Sequence, residues 1–327
     1  MKSQFIRDIE KYAAEEASLA VATLGTFDGI HLGHKAIFQK VQETAKANGL
    51  VPLLVTFQPH PRVVLTPDNA PQLLTTIEEK EHFIPDFFSG KVIVIKFDEE
   101  IRNMTAEQFV KNILVDKLRV KKLIVGFNHV LGKDRGGDNE ELIRLGSKYG
   151  FDVEIVEPIM RNAKPVSSTR IREAMQSGDF DEATDLLGHQ YAIFGIVMRG
   201  MGLGRKLGYP TANVDYNKRK LLPPEGVYSC WVTVRDEHYS GMMFIGKNHF
   251  DPKDGISVEA NLFDFDEDIY DEEIYVYPTR FVRGNQKFDS KDELVAQMKK
   301  DKEIVIEILK EQKSNGIEKR AQSSNYC

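Results

Sequence analysis

A chain of 327 residues is long for one hydrophobic core, so two domains are the starting expectation. With 41% hydrophobic residues, 29% charged residues and 13 prolines, its composition is that of a folded globular protein and excludes a disordered or fibrous one. Its 44 Lys and Arg against 50 Asp and Glu leave a net charge of -6, which argues against nucleic acid or an anionic membrane as partner; any phosphate must be gripped locally.

The first residues, MKSQFIRDIEKYAAEE, lack the apolar core of a signal peptide, and no apolar run approaches the roughly 20 residues that span a bilayer. Cys230 and Cys327 make neither a disulfide framework nor a metal-ligand cluster. A cytoplasmic protein is expected. Oligomeric state leaves no signature.

Short β-branched apolar runs at 19–24, 51–56, 91–97, 122–126 and 152–156 predict buried strands, with helices between them at 33–48, 105–118 and 139–149. This β-α-β alternation implies an α/β fold with an open parallel sheet, helices on both faces and a ligand crevice at the carboxyl ends of the strands. Two short helices, 168–178 and 179–188, each end at a glycine and close this half. Beyond them come short strands with turn residues between them, at 191–199, 226–235, 239–246, 256–263 and 273–281, which imply an antiparallel sheet or small barrel. A helix at 291–310 and a polar tail follow. The expected domains are 1–187 and 188–312, with a tail at 313–327.

The segment Gly25-Thr-Phe-Asp-Gly-Ile-His31-Leu-Gly-His34 leaves the first predicted strand and opens a helix. A helix N-terminus offers free backbone amides and suits phosphate. Gly33 permits close backbone approach, and His31 and His34, three residues apart, can point into one crevice and donate to an α-phosphate. Surface or capping histidines are the competing reading. Much later, Val166-Ser-Ser168-Thr169-Arg-Ile-Arg172 places hydroxyls before a helix and an arginine one turn inside it; helix capping by Ser168 or Thr169 competes here. Taken together, the two segments read as the nucleotide grip and triphosphate grip of a Rossmann-like H-x-G-H nucleotidylyltransferase.

The second half opens on Gly195-Ile-Val-Met-Arg-Gly200-Met-Gly202-Leu-Gly204-Arg-Lys-Leu-Gly208-Tyr-Pro-Thr211-Ala-Asn213. Closely spaced glycines can wrap phosphate with backbone amides or simply turn a hairpin. Further on, Glu259 puts a carboxylate inside an apolar strand, which needs a reason, because an unpaired buried charge is costly. The acidic residues after it, Asp264 to Asp268, read as a solvated turn and not as metal ligands.

Through LGTFDGIHLGH (24–34), TFQPHPRVVL (56–65), VGFNHVLGKDRGGD (125–138), VSSTRIREAMQSGD (166–179) and the glycine-rich stretch ending in Pro-Thr-Ala-Asn, the chain resembles the bacterial bifunctional riboflavin kinase/FMN adenylyltransferases, also called FAD synthetases. The resemblance implies an adenylyltransferase domain followed by a β-barrel kinase domain with a C-terminal helix. Riboflavin, FMN, FAD and ATP are then substrates or products, and Mg2+ the metal. It implies that His31 and His34 stabilise the α-phosphate and that Gly25, Phe27, Asp28, Gly33 and Asn128 form the nucleotide pocket. Ser168, Thr169 and Arg172 would hold phosphates; His60 and Arg62, in the loop after the second strand, and Arg283 would face flavin. In the kinase half it implies that Gly200, Gly204 and Gly208 shape the phosphate loop, Thr211 and Asn213 hold Mg2+, and Glu259 is the general base.

The chain departs from the family pattern at several positions. Leu131 stands where an aromatic is usual, Phe244 where an asparagine is, and Asn285 where a glutamate is; Lys247 to Phe250 replace a proline-threonine region. These departures keep a single-activity adenylyltransferase with a flavin-binding or structural barrel as the alternative. A non-catalytic flavin-binding or regulatory protein, and a first domain that adenylates another acceptor, are the remaining readings.

Overall fold

A computed structural model describes residues 3–133, 136–200, 203–247 and 255–314. Met201, Gly202, Asn248, His249, Phe250 and the tail from 315 onward, with Cys327, lie outside the described residues. The chain forms two compact units: Met1–Gln72 with Lys80–Ser167, and Leu73–Glu79 with Ser168–Cys327.

In chain order up to Ser167 the elements are β1 (Gln4–Ile6), α1 (Ile9–Glu15), β2 (Ala20–Leu24), α2 (Leu32–Asn48), β3 (Val51–Gln58), α3 (Pro61–Leu65), α4 (Ile77–Phe87), β4 (Lys91–Lys96), α5 (Glu99–Asn103) and α6 (Ala106–Phe109). After a π-helical segment, Val110–Lys117, come β5 (Val120–Gly126), α7 (Asn139–Tyr149), β6 (Asp152–Val156) and a small hairpin of β7 (Met160–Arg161) and β8 (Lys164–Pro165). Strands β1 to β6 pair in parallel in the order β1-β4-β3-β2-β5-β6. Each βα connection returns the chain in the same direction, and the apolar runs are buried from both sides, as β2 is throughout. Helices α2 and α7 stop at Gly49 and Gly150, whose φ values of 64° and 78° are left-handed.

Strand order sets where a ligand goes. From β2 the chain runs outward to β3 and β4, then returns to the other side of β2 for β5 and β6. At such a reversal the two flanking connections part and leave a crevice at the carboxyl ends of β2 and β5.

The second unit carries α8 (Ser168–Ser177), α9 (Phe180–Leu187), β9 (Ile193–Met198), α10 (Leu203–Lys206), β10 (Ala212–Tyr216), β11 (Gly226–Val234), β12 (Glu237–Lys247), β13 (Ile256–Leu262), β14 (Glu273–Arg283) and α11 (Lys291–Ser314). Its strands close an antiparallel barrel in the order β10-β13-β12-β11-β14-β9. Closure leaves no open sheet edge. Arg235 and Asp236, at φ 51° and 62°, make the two-residue turn from β11 to β12, the conformation that matches the twist of a hairpin.

The expected boundary near Gly188 and the division by packing differ. Helices α8 and α9 group with the barrel, where Phe180 meets the buried Tyr228 ring edge-on at 5.6 Å. So does Leu73–Glu79. Leu73 N donates to Arg219 O at 2.7 Å, and Leu221 N donates to Leu73 O at 2.8 Å. Glu79 and Lys220, both buried, pair at 2.6 Å, and the carboxylate also accepts from Phe194 N at 3.0 Å and Thr76 N at 2.9 Å. Burial raises the pKa of Glu79 while Lys220 pulls it back. The last helix runs to Ser314, so residues 313 and 314 of the expected tail are helical.

Candidate active sites

The turn from β2 to α2 is tight. Phe27, Gly29 and Ile30 all have positive φ, 47°, 94° and 44°. Strained backbone at a functional turn persists only when its surroundings hold it. Here Phe27 and Ile30 are buried, and Phe27 meets His34 edge-on at 5.3 Å and Phe38 at 5.1 Å. The ring of Phe27 thus supports His34 from the core side, and Asp28 is buried beside it in the chain. A Cβ on Gly25 would sit 3.1 Å from the Phe27 ring, and one on Gly33 would sit 3.1 Å from His31 Cε1. At both positions the ring would have to give way by a few tenths of an ångström to admit a Cβ.

His31 is the N-cap of α2: its Nδ1 accepts from His34 N at 3.4 Å. Capping and chemistry are compatible, because a neutral imidazole that accepts at Nδ1 carries its proton at Nε2. The His34 ring stacks on His31 with centroids 3.6 Å apart, and its buried Nδ1 has no hydrogen-bond partner among the described residues. Burial lowers the His31 pKa to about 4, against the pull of Asp28. His34 is held well below the usual range by burial, then by repulsion from His31 and Lys80. Both rings are therefore neutral donors at neutral pH.

Asn128 follows β5. Its side chain is exposed, and a Cβ on Gly126 would lie 3.8 Å from Asn128 Oδ1 and 3.5 Å from Ile37 Cδ1 on α2. Leu131, which stands where the family pattern usually has an aromatic, is 8% exposed and belongs to the hydrophobic core; its backbone pairs with Gly137 in both directions at 2.9 Å. The departure is one of core packing. His60 follows β3 and caps α3, Nδ1 accepting from Arg62 N at 3.2 Å, while Arg62 is exposed. The parallel pairing puts the ends of β2, β3 and β5 on one edge of the sheet, and with them His31, His34, His60, Arg62 and Asn128.

Ser168, half-buried, and Thr169, exposed, open α8 in the second unit, with Arg172 one turn on. The neighbouring Arg170 ties α8 to α9 by two bonds to Glu182 Oε1, at 2.6 and 2.9 Å.

In the barrel, a cavity of about 410 Å3 is lined by Gly200, Gly204, Thr211, Asn213, Glu259 and Arg283, among others. Thr211 Oγ1 donates to Glu259 Oε2 at 3.2 Å, and Asn213 stands opposite Glu259 in the β10-β13 ladder. The glycines press on this group. A Cβ on Gly200 would lie 2.3 Å from Asn213 Nδ2, and one on Gly204 would lie 2.3 Å from Tyr209 O and 3.1 Å from Thr211 Oγ1. Gly208, at φ 81°, turns the chain after α10.

Arg283 lines the cavity, but its guanidinium is held by Asp301 of α11, through Nε at 3.0 Å to both oxygens and Nη2 at 2.7 Å. Asp301 is 2% exposed and also accepts from Gln297 at 2.8 Å. Asn285 donates to Glu225 at 2.8 Å, a contact in which a glutamate would meet like charge. Phe244 lies on the cavity wall, paired in register with Glu259. The acidic turn after β13 is engaged by Arg235, which reaches Glu267 at 2.9 Å and Glu272 at 2.9 Å, and no cluster of three acidic, His or Cys ligands occurs among the described residues.

Two residues escape the sequence reading. Asn261 is two positions past Glu259, hence on the same face of β13, and that alternation is a usable signal. Asp301 sits among many charges in α11 and has none.

A family model described as FAD synthetase matches residues 13–170, and one described as riboflavin kinase matches 187–309. The chain is 36% identical to the bifunctional riboflavin kinase/FMN adenylyltransferase of Bacillus subtilis (strain 168), over 94% of this chain and 98% of that one. It is 35% identical to the protein so named in Buchnera aphidicola subsp. Schizaphis graminum, over 92% and 97%. Among solved structures it is similar to one described as a macrolide-efflux protein from Streptococcus pneumoniae, with TM-score 0.79 and 32% identity, covering 93% of this chain and 99% of that one. That likeness carries the fold of both units; no helix among the described residues is long and apolar enough to cross a membrane. With a matching family model on each half and relatives of matching length, the chain belongs to the bifunctional riboflavin kinase/FMN adenylyltransferase family.

Proposed function

We propose that this chain makes FMN from riboflavin and ATP in its barrel, and FAD from FMN and ATP with release of pyrophosphate through its H-x-G-H segment. The observation that carries the first-unit reading is the stacked, neutral pair of His31, which is buried, and His34, which is partly so, at the strand-order reversal, with the buried His34 Nδ1 unpartnered among the described residues. In adenylyl transfer the FMN phosphate oxygen attacks the α-phosphorus of ATP directly, and negative charge grows on the oxygens there. Neutral imidazole N–H groups fixed before the reaction stabilise that charge without reorganising. Gly25 and Gly33 keep the turn open to the nucleotide, with Asn128 beside it, while Phe27 and Asp28 hold it from below. Ser168, Thr169 and Arg172 hold phosphates, and His60 and Arg62 face the flavin side.

In the barrel, Glu259 takes the proton from the riboflavin 5′-hydroxyl as that oxygen bonds to the γ-phosphorus and ADP leaves. The Thr211 hydroxyl, the Asn213 amide and the Glu259 carboxylate make a hard-oxygen donor set, and Gly200 leaves open the space beside Asn213 that a Cβ would fill. This set fits Mg2+. Thr211 and Asn213 would hold it, and it would neutralise phosphate charge. Gly204 and Gly208 shape the phosphate loop, and Arg283, fixed by Asp301, shapes the flavin wall. The buried free Cys230 suits a reducing cytoplasm.

Incubating the full chain with riboflavin, ATP and Mg2+ and separating the flavins tests this. FMN followed by FAD is expected. FAD from supplied FMN, with riboflavin left unchanged, would establish the single-activity reading instead.

A further inference from the structure

We propose that Asn261 is a positioning residue of the kinase reaction, holding the Pro210 carbonyl so that Thr211 keeps its hydroxyl on Glu259. The inference rests on the kinase reading above. The ladder between β10 and β13 runs over Ala212↔Ala260 and Asn213↔Glu259, and β10 itself begins at Ala212. Thr211, a metal and phosphate residue in the kinase reading, therefore lies just outside the strand pairing. Its predecessor is a proline, which has no N–H to give.

Asn261 supplies what the ladder does not. Its Nδ2 donates to Pro210 O at 2.7 Å, and the residue is 5% exposed, on the wall of the cavity. Residues two apart on a strand share a face, so Glu259 and Asn261 reach the same way and take hold of consecutive residues, Thr211 by its hydroxyl and Pro210 by its carbonyl. On the other side Gly204 closes on Thr211 Oγ1 and Tyr209 O with no room for a Cβ. The hydroxyl is thus pinned between β13 and the glycine loop. Without the Asn261 donor, the Pro210 carbonyl loses this partner and the Thr211 segment is free to shift.

The test uses the full chain and two substitutions. Asn261→Asp keeps the shape but turns an acceptor toward the Pro210 carbonyl. Asn261→His keeps a donor, because imidazole Nδ1 stands at the same bond distance from Cβ as the amide Nδ2. Riboflavin phosphorylation is followed against Mg2+ and, separately, against riboflavin.

For Asn261→Asp the half-saturating Mg2+ concentration should rise, or kcat fall, by about tenfold, with the riboflavin KM within about twofold of wild type. Asn261→His should recover most of this, and FMN adenylation should be unchanged in both. An Asn261→Asp enzyme with wild-type Mg2+ dependence and kcat, or one altered only in riboflavin KM, overturns the proposal. If Asn261→Asp melts far below wild type, Asn261→Ala is judged in the same titration by the same criteria. A wild-type chain that adenylates FMN but phosphorylates no riboflavin would overturn the kinase reading itself and this inference with it.

Discussion

His31 and His34 lie ring on ring, centroids 3.6 Å apart and planes 18° from parallel, at the start of one helix. Two imidazolium ions would repel strongly at that distance, and burial already depresses both. Such a group stabilises the fold above its unfolded pKa, and that stability is lost as pH falls from 6.5 toward about 4, because the unfolded chain binds the proton first. For His31 this amounts to about 2 kcal/mol between about pH 7 and about pH 5. Urea denaturation at the two pH values should show a smaller acid loss for His31→Asn than for wild type; equal losses would mean that His31 is not held neutral.

Replacing either histidine by alanine removes a preorganised donor to the reacting phosphate. FAD formation from FMN should slow by about a hundredfold or more, corresponding to about 3 kcal/mol. Because the barrel has its own cavity, FMN formation from riboflavin should persist in both variants. Parallel assays of the two steps on one preparation decide this, and normal FAD turnover in both variants would remove the histidines from the mechanism.

Gly200→Ala and Gly204→Ala put a methyl group 2.3 Å from Asn213 Nδ2 and from Tyr209 O, respectively. Overpacking of this kind costs about 1–3 kcal/mol, or displaces the neighbour instead. Either way the Thr211 and Asn213 donors move. Riboflavin phosphorylation should drop at least tenfold in each, by the affinity arithmetic of about 1.4 kcal/mol per decade, while FMN adenylation stays at the wild-type rate. Unchanged kinase kinetics would show that the loop yields.

Glu259→Gln preserves the side-chain shape but cannot accept a proton. A primary hydroxyl is a poor nucleophile at neutral pH, and general-base help contributes about a hundredfold or more. The variant should bind riboflavin, measured by flavin fluorescence, yet phosphorylate it at least that much more slowly. If it matches wild type, Glu259 is a structural carboxylate.

Asp301→Ala leaves Arg283, only 17% exposed in its side chain, without its counter-ion. Breaking one partner of a buried pair costs about 3–5 kcal/mol, whereas removing both costs far less. Chemical denaturation of Asp301→Ala, Arg283→Met and the double variant should therefore be strongly non-additive. Additive losses would mean that α11 is held by its apolar contacts alone.

The strand and helix frame was legible because its signals are local. The run at 152–156 and the helix at 139–149 coincide with β6 and α7, and the glycines at 49, 150 and 188 stop helices as left-handed caps. Thr211, Asn213 and Glu259 were named separately and meet in space. What stayed hidden was relational. β10 was read as part of a glycine motif, since Ala-Asn-Val-Asp-Tyr alternates only weakly. Nothing along the chain pairs Asp301 with Arg283 or Glu79 with Lys220, because opposite charges in a sequence rich in both carry no address. Leu131 stood out only as a departure from a usual aromatic, because a motif position does not reveal that the side chain turns inward.

The Glu79–Lys220 pair also has a meaning in time. The two residues are 141 positions apart, and the carboxylate leaves the ribosome first. At about 5–20 residues per second, roughly ten seconds of synthesis separate the acid from its base. The last three strands of the parallel sheet, β4, β5 and β6, are translated within that interval, which ends with the sheet complete in sequence while Leu73–Glu79 still lacks the partners it packs on. The strands of the N-terminal sheet are therefore all synthesised before Leu73–Glu79 has its partners, and a nascent chain stalled before Lys220 carries a glutamate destined for burial that has no cation to receive it.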